Sequence, residues 1–293
     1  MDTSAASQRS RAHGYVMILA CAVLWSLGGV LVKLLRSDYA VDPGAIACLR
    51  SAVAAAVLAW ALPGLRGAPR WPAAASALCY TIVVGSFVVA VAGTTAANAI
   101  FLQYAYPLFV AVGAVWFFGE RLGGRTLAAL GLGAAGVGVI LLWSWSPEER
   151  VGLACGFASS VAFAALALLQ HAMRGGNPVA LSAFYNLAAA VLLLPLAWGK
   201  LPIALGAWLL IVVTGTVQLG IPYVLFIRGM RLVPATDAAL LTLAEPVLNP
   251  VWVWLVVGER PATSTLAGGA LILAALLVRF LRASRAATAR ICP

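Results

Sequence analysis

Residues 105–121 read AYPLFVAVGAVWFFGER, and residues 244–260 read AEPVLNPVWVWLVVGER. Both stretches have proline at the third position and end on Gly-Glu-Arg, and the second copy follows the first at an offset of 139 residues. Self-similarity at a fixed offset is typical of a chain built from repeated structural units. We therefore predict two copies of one unit, formed by residues 1–145 and 146–293.

The composition indicates that both copies lie in a membrane. Only 10% of the 293 residues are charged and 63% are hydrophobic, with a mean hydropathy of +1.00. A soluble domain has about 25% charged residues, so this composition argues against a cytosolic enzyme. Apolar stretches of spanning length predict an all-α integral membrane protein with ten transmembrane helices. The predicted spans are 14–35, 43–62, 72–92, 95–118, 124–143, 151–172, 178–198, 206–229, 235–257 and 262–281.

The repeat is expected to be inverted, because each copy has five helices. An odd number of spans brings the second copy into the membrane from the opposite side, an arrangement common among secondary transporters. With a cytoplasmic amino terminus, thirteen of the nineteen Lys and Arg residues lie on the cytoplasmic side. The positive-inside rule therefore predicts that both termini are cytoplasmic, and it accounts for the net charge of +10 without nucleic acid. The predicted external side has Lys33, Arg36, Arg150, Lys200 and Arg260.

The doubled helix resembles a known family. In each copy an aromatic or acidic residue precedes proline, Gly-Glu-Arg follows about three turns later, and a Gly/Ala-rich fifth helix comes next. This pattern resembles the EamA family of the drug/metabolite transporter superfamily over nearly the whole chain, and most of all its YddG-type exporters of aromatic and other amino acids. The resemblance implies an efflux carrier of the bacterial-type inner membrane without a bound cofactor or metal. We expect a monomer whose partners are the lipid bilayer and a small-molecule substrate.

One polar face occurs at equivalent positions of the fourth and ninth spans. Polar side chains are costly in lipid, so this face should point towards partner helices or water. It either lines a cavity or joins helices by hydrogen bonds. For Asp237, in the first turn of its helix, stabilisation of the helix amino terminus is the simpler interpretation. The residues are Asn98, Gln103 and Tyr106 in the fourth span and Asp237, Thr242 and Glu245 in the ninth.

Pro107 and Pro246 lie in the middle of these two spans. Each proline removes one backbone hydrogen bond and should bend its helix. Proline is also more common in membrane helices in general. The symmetric placement predicts that the two prolines act as hinges or shape a central site.

Glu245 and Arg50 are predicted at similar depths near the centre of the bilayer. Three interpretations of Arg50 remain open: it pairs with Glu245, it extends towards the membrane surface, or it binds a substrate carboxylate. Pairing would keep Glu245 charged and make it a structural residue of the cavity rather than an obligatory proton carrier.

Aromatic residues near the middle of several spans could form a cavity wall. Together with polar neighbours they would suit a zwitterion with an apolar side chain, although each residue alone could simply pack in the core. The residues are Trp25, Tyr80, Phe163, Tyr185, Gln218 and Tyr223.

The leading hypothesis is a secondary transporter, not an enzyme. It would export small amphipathic metabolites, foremost amino acids, by alternating access to a midplane cavity between the repeats. The alternatives are a proton-coupled exporter of cationic drugs that uses Glu245, a membrane enzyme, and a receptor-like binding protein. The sequence has no catalytic carboxylate pair, nucleophile motif or metal cluster. Gly131, Gly133 and Gly136 spell G-x-G-x-x-G but lie inside the fifth span, where they predict close helix packing.

Overall fold

A computed structural model describes residues 2–66, 68–119, 123–172, 177–202 and 204–289. Within these ranges the chain forms helices joined by short turns, without a strand. Glu120 and Arg121 of the first Gly-Glu-Arg turn lie outside the described residues, as do the side chains of four predicted cytoplasmic arginines near the termini, Arg9, Arg279, Arg282 and Arg285, and the whole of Arg290.

The described residues form fifteen α-helices, and several predicted spans are divided between two of them. The chain also contains a 3-10 helix, Ala59–Leu65, and a π-helix, Thr214–Gly220. In chain order the α-helices are α1 (Asp2–Ser26), α2 (Gly28–Ser37), α3 (Pro43–Leu58), α4 (Arg70–Gly93), α5 (Ala96–Gln103), α6 (Tyr106–Phe118), α7 (Gly124–Trp143), α8 (Arg150–Ala172), α9 (Pro178–Leu192), α10 (Leu194–Ala197), α11 (Leu205–Val213), α12 (Ile221–Met230), α13 (Ala235–Thr242), α14 (Ala244–Val257) and α15 (Thr263–Ala289).

Eight helical stretches among the described residues are long and apolar enough to cross a membrane. They correspond to the first six predicted spans and to the eighth and ninth. The seventh and tenth predicted spans fall on shorter apolar helices, Pro178–Leu192 and Thr263–Val278. Many large apolar side chains are exposed on the outside, including Trp71 and Trp116, which suits contact with lipid.

The fourth and ninth spans are broken near their middle. The fourth is divided between α5 and α6, and the ninth between α13 and α14. Pro107 and Pro246 follow these breaks, and a proline cannot donate a hydrogen bond to the carbonyl four residues before it. The carbonyls of Gln103 and Thr242 therefore have no helical partner at these positions. Both spans are thus interrupted where proline predicted a disturbance of the helix, while a bend and a hinge function of the prolines remain predictions.

The glycines of the two Gly-Glu-Arg turns end their helices in the same way. Gly119 has a φ of 66° after α6, and Gly258 has a φ of 78° after α14. Glycine adopts this left-handed conformation without the steric cost that a Cβ brings. The repeated glycine thus marks the point at which each helix ends.

The two halves contact each other through equivalent helix pairs. In one pair, α1 packs on α12, and a Cβ added to Gly229 would lie 3.1 Å from the carbonyl oxygen of Gly14. In the other, α8 packs on α4, and a Cβ added to Gly152 would lie 2.5 Å from the backbone of Gly93. A Cβ at Gly152 would overlap the backbone of α4, and one at Gly229 would be closer to Gly14 than in an ordinary contact, so small residues set the approach of the halves at both contacts.

The G-x-G-x-x-G stretch of α7 also serves helix packing. A Cβ added to Gly136 would lie 2.6 Å from the carbonyl oxygen of Gly268 in α15, and Gly133 packs against Leu108. Gly131 is exposed and has no neighbour within 4 Å of an added Cβ. Two of the three glycines therefore have the predicted packing function, and the third does not.

Candidate functional site

A cavity of about 290 Å³ lies between the helices of the two halves. This volume is at the small end of the range for ligand sites, which is about 300–1,000 Å³. Nine of the eleven residues predicted to bind substrate line it, namely Trp25, Tyr80, Gln103, Tyr106, Phe163, Gln218, Tyr223, Thr242 and Glu245. Their function in binding remains a prediction. Residues that were not predicted as lining include Tyr104, Phe87, Gln170 and Phe226.

Aromatic rings from both halves form much of the wall. Tyr106 and Phe163 stack with ring centroids 4.2 Å apart and an angle of 16° between their planes. Trp25 contacts Tyr223 edge-on, at a centroid distance of 5.9 Å, and Phe226 at 5.3 Å. Offset-stacked and edge-to-face pairs are the arrangements that aromatic rings prefer. The wall is therefore apolar and packed by mutual contact.

Polar side chains of the wall are held by neighbours behind it. The Tyr80 hydroxyl donates to Asn186 Oδ1 at 3.0 Å. Gln103 Nε2 donates to Ser159 Oγ at 2.8 Å, and this hydroxyl in turn donates to the carbonyl of Val83 at 3.2 Å. Each group has lost part of its conformational freedom before a ligand arrives, which lowers the entropic cost of binding.

Glu245 is bonded to a tyrosine from the other half. The Tyr104 hydroxyl lies 2.7 Å from Glu245 Oε2 and 3.1 Å from the Thr242 carbonyl oxygen. This is the carbonyl that loses its helical partner because Pro246 has no N–H. The Tyr104 hydroxyl is thus within hydrogen-bond distance of both the carbonyl at the break between α13 and α14 and the carboxylate beside it.

Arg50 lines the same cavity without pairing with Glu245. No salt bridge joins the two side chains, both of which are described, so the predicted ion pair is wrong. The prediction that Arg50 extends towards the membrane surface is also wrong, because Arg50 is 2% exposed and its Nη2 donates to the carbonyl of Val84 at 3.2 Å. Similar depth along two helices does not bring side chains together when the helices present them in different directions.

Two predicted site residues lie away from the cavity lining. Tyr185 packs behind the wall, with its ring centroid 5.8 Å from that of Tyr80. Asn98 donates to Thr94 Oγ1 at 3.0 Å and accepts from Thr265 Oγ1 at 2.7 Å. Its position corrects the prediction that it lines the cavity, because it joins helices instead. The structure places Asp237 in the first turn of α13, where it accepts a hydrogen bond from the Tyr15 hydroxyl at 2.7 Å.

Asn98 belongs to a polar cluster at one end of the bundle, which we call the Lys33 cluster. Its members are Lys33, Thr94, Asn98, Glu149, Glu259 and Thr265, together with the backbone of Ala96. Lys33 Nζ lies 2.5 Å from Glu259 Oε2 and 2.9 Å from the Thr94 carbonyl oxygen. Glu259 Oε1 accepts from the Ala96 N–H at 2.7 Å, and Thr94 Oγ1 donates to Glu149 Oε2 at 2.5 Å.

The Lys33 cluster joins both halves at the end of the bundle where α2 ends and α5 begins. The cavity extends in the other direction, because the exposed Gln170 in its lining lies twenty residues, or about 30 Å of helix, beyond the start of α8. Direct ionic and hydrogen-bond contacts thus hold the bundle together at the Lys33 end. This cluster was not predicted from the sequence, although a lysine inside the first span indicates a need for a polar partner.

The sequence matches the EamA-like transporter family over residues 12–142 and again over residues 150–281. These two matches cover most of the chain, one in each half. The chain belongs to the EamA-like transporter family. It is therefore a multi-pass membrane transporter built from two EamA repeats, rather than an enzyme.

Two relatives of this EamA-like chain illustrate the family. An uncharacterized transporter of Archaeoglobus fulgidus is 32% identical over 200 residues, which cover 67% of this chain and 72% of that protein. The pseudopaline exporter CntI of Pseudomonas aeruginosa is 30% identical over 194 residues, which cover 64% of this chain and 67% of CntI.

A further relative and a solved structure agree with membership of the EamA-like family. The uncharacterized transporter YwfM of Bacillus subtilis is 33% identical over 151 residues, which cover 48% of this chain and 50% of YwfM. A crystal structure with 21% sequence identity superposes with a TM-score of 0.66 and covers 94% of this chain and 98% of its own. At this identity the similarity establishes the shared fold alone.

Proposed function

We propose that the protein exports small amphipathic metabolites, foremost amino acids, by alternating access. The observation that carries this proposal is the cavity between the halves, where an aromatic wall is combined with one basic and one acidic side chain, Arg50 and Glu245. Its small volume of about 290 Å³ favours a metabolite over a large drug. Similarity to a protein described as an exporter supports outward transport.

The proposed carrier has ten transmembrane helices in two inverted repeats, residues 1–145 and 146–293, in a bacterial-type inner membrane. Both termini are then cytoplasmic, and the Lys33 cluster lies at the external side. Single cysteines at Gly119 and Gly258, in a background without native cysteines, test this topology. We expect an impermeant maleimide to label Gly258→Cys from outside intact cells and Gly119→Cys only after permeabilisation. Labelling of both positions from the same side would refute the inverted arrangement.

The position of the contacts supports a transport cycle of this kind. While the Lys33 cluster is formed, it separates the cavity from solvent at the Lys33 end of the bundle. The cavity extends to Gln170, towards the opposite end. Breaking the cluster while closing the Gln170 end would transfer the site from one face to the other. Pro107 and Pro246 are placed where bending of the fourth and ninth spans would change the lining of the cavity.

A second candidate is a proton-coupled exporter of cationic drugs. It is favoured by one observation, namely that Glu245 lies in the cavity with a tyrosine hydroxyl and no described cation as its partner. A carboxylate without a cation partner can bind either a proton or a positively charged substrate.

Counterflow in proteoliposomes distinguishes the two candidates. Purified protein is reconstituted with an internal excess of unlabelled compound, and uptake of labelled L-phenylalanine, L-leucine or tetraphenylphosphonium is measured. We expect counterflow of the amino acids that does not need a proton gradient. Proteoliposomes that accumulate only tetraphenylphosphonium, and only with a proton gradient, would refute the amino acid proposal and establish the second candidate.

A further inference from the structure

Arg50 is a fully buried cation with few partners. Its side chain is 2% exposed in α3, and one hydrogen bond, from Nη2 to the Val84 carbonyl, is formed within the described part of the chain. The Nε atom is buried and has no hydrogen-bond partner there. A guanidinium has five N–H donors in a planar fork, so most of its capacity is unused.

The surroundings of Arg50 do not neutralise its charge. None of the described carboxylates lies within 4.0 Å of it, because the described ion pairs are Lys33 with Glu259 and Lys200 with Asp42. The neighbouring Tyr80 donates its proton to Asn186, so it offers Arg50 only the partial charge of an oxygen atom. A cation inside a membrane protein is costly unless an anion or several acceptors surround it.

A purely structural arginine would be expected to use more of its donors. An arginine that only joined α3 to α4 could do so by saturating carbonyls of both helices, whereas Arg50 bonds a single carbonyl and lines the cavity. Glu245 lines the same cavity beyond ion-pairing distance. The site thus has two opposite charges with space between them.

We propose that Arg50 binds the carboxylate of the transported substrate, while Glu245 receives its ammonium group. This inference rests on the proposed function and makes Arg50 the residue that selects carboxylates. The planar fork of a guanidinium matches a carboxylate in a bidentate arrangement. The apolar side chain of the substrate then contacts the aromatic wall formed by Trp25, Tyr106 and Phe163. A cation without a carboxylate leaves Arg50 unneutralised and is rejected.

The parent protein alone gives the first test. L-phenylalanine, L-phenylalaninamide and 3-phenylpropionate compete with L-[3H]phenylalanine in counterflow, and the same series is repeated for leucine. The amide lacks the negative charge and the propionate lacks the ammonium group. Loss of charge-assisted hydrogen bonds predicts that the amide competes about 10- to 100-fold more weakly than the amino acid. Equal competition by amide and amino acid would overturn the assignment of Arg50 while leaving carrier function intact.

Variants of Arg50 give the second test. We expect the ratio of amide to amino acid inhibition constants to fall towards one in Arg50→Gln. Arg50→Lys should keep an intermediate ratio, because the charge remains but the fork is lost. Arg66→Gln, which removes an exposed arginine, is the matched control and should keep the parental ratio. If Arg50→Gln does not fold, the ratio of inhibition constants in Arg50→Lys is compared with the ratio in the parent, and an unchanged ratio would count against binding of the carboxylate by Arg50.

Two outcomes separate failure of this inference from failure of the proposed function. A folded Arg50→Gln protein that still prefers phenylalanine over its amide by the parental ratio would overturn the inference alone. Absence of counterflow for every carboxylate-bearing compound in the parent, together with transport of tetraphenylphosphonium, would overturn both.

Discussion

Removal of the Lys33 ammonium should open the bundle at the Lys33 end. Lys33→Met breaks the contacts to Glu259 and to the Thr94 carbonyl, and it leaves Glu259 without its cation. The side chains of Lys33 and Glu259 are 16% and 21% exposed, so solvent screens the pair only in part. A hydrogen bond to a charged group contributes about 1.5–3 kcal/mol. The ratio of open to closed molecules at this end should therefore rise about 10- to 100-fold.

A cysteine inside the cavity measures this change. Phe87 lines the cavity on α4, and Phe87→Cys in a background without native cysteines reports access from the Lys33 end. We expect an impermeant maleimide, added on that side, to label Phe87→Cys about 10- to 100-fold faster when Lys33→Met is also present. Lys200→Met is the matched control, since it removes an exposed lysine whose ion pair among the described residues is with Asp42. An unchanged labelling rate in the Lys33→Met protein, or an equal increase with Lys200→Met, would refute the reasoning.

Three further predictions follow from features of the site and the loops. Pro107→Ala and Pro246→Ala should slow transport more than they lower the yield of folded protein, because neighbouring helices can satisfy the backbone at each break; transport rate and yield are compared in the same preparation. Glu245→Gln should weaken counterflow of amino acids but keep it measurable, because the charge proposed to receive the ammonium group is lost while an amide oxygen can still accept from Tyr104; loss of proton-driven accumulation in this variant would instead support the cationic-drug candidate. Partial burial opposes ionisation of Asp42, yet hydrogen bonds from Lys200 and the Gly44 N–H hold the pKa of its carboxyl below the ordinary value. The stabilisation is therefore present above the unfolded-state pKa of about 3.9 and is lost as the pH falls through the lower folded-state pKa. Asp42→Asn should lower the free energy of unfolding by about 1 kcal/mol or less at neutral pH, measured by thermal unfolding, and the difference should vanish in strong acid.

The helical repeat could be predicted because its signals are local. Proline after each break and glycine after each helix act through the backbone of neighbouring residues, so Pro107, Pro246, Gly119 and Gly258 predicted the breaks and ends of their helices. Boundaries inside spans were harder to predict. No proline or polar run marks Leu27, where the first span is divided between α1 and α2.

Only part of the cavity could be predicted from the sequence. Helical periodicity shows which side of a helix a residue faces, but it does not show at which depth of the membrane the cavity lies. Gln103 and Asn98 share a face of the fourth span, yet they lie five residues apart, which is about 7.5 Å along the helix axis. That distance separates the cavity from the Lys33 cluster. A similar depth in the membrane is equally insufficient to predict a contact, since Arg50 and Glu245 were predicted at similar depths but form no ion pair.

Contacts between distant segments could not be predicted from either copy alone. Lys33 and Glu259 are far apart in sequence, and nothing in the residues around either one specifies the other. The position of helices in the plane of the membrane decides which ends meet, and this position depends on packing through residues such as Gly93 and Gly152. The sequence pattern could therefore indicate that buried charges need partners, but not which partners they have.

The hydroxyl of Tyr104 has a single hydrogen atom and two acceptors within reach, the Thr242 carbonyl and Glu245. While Glu245 is ionised, the shorter bond to its carboxylate takes this hydrogen. When Glu245 is protonated, it can donate to the phenol oxygen, which then turns its own hydrogen towards Thr242. Protonation of Glu245 thus gives the Thr242 carbonyl the donor that it lacks while the carboxylate is ionised. The charge of one side chain in the cavity is thereby linked to the backbone at the broken helix, across the boundary between the two halves.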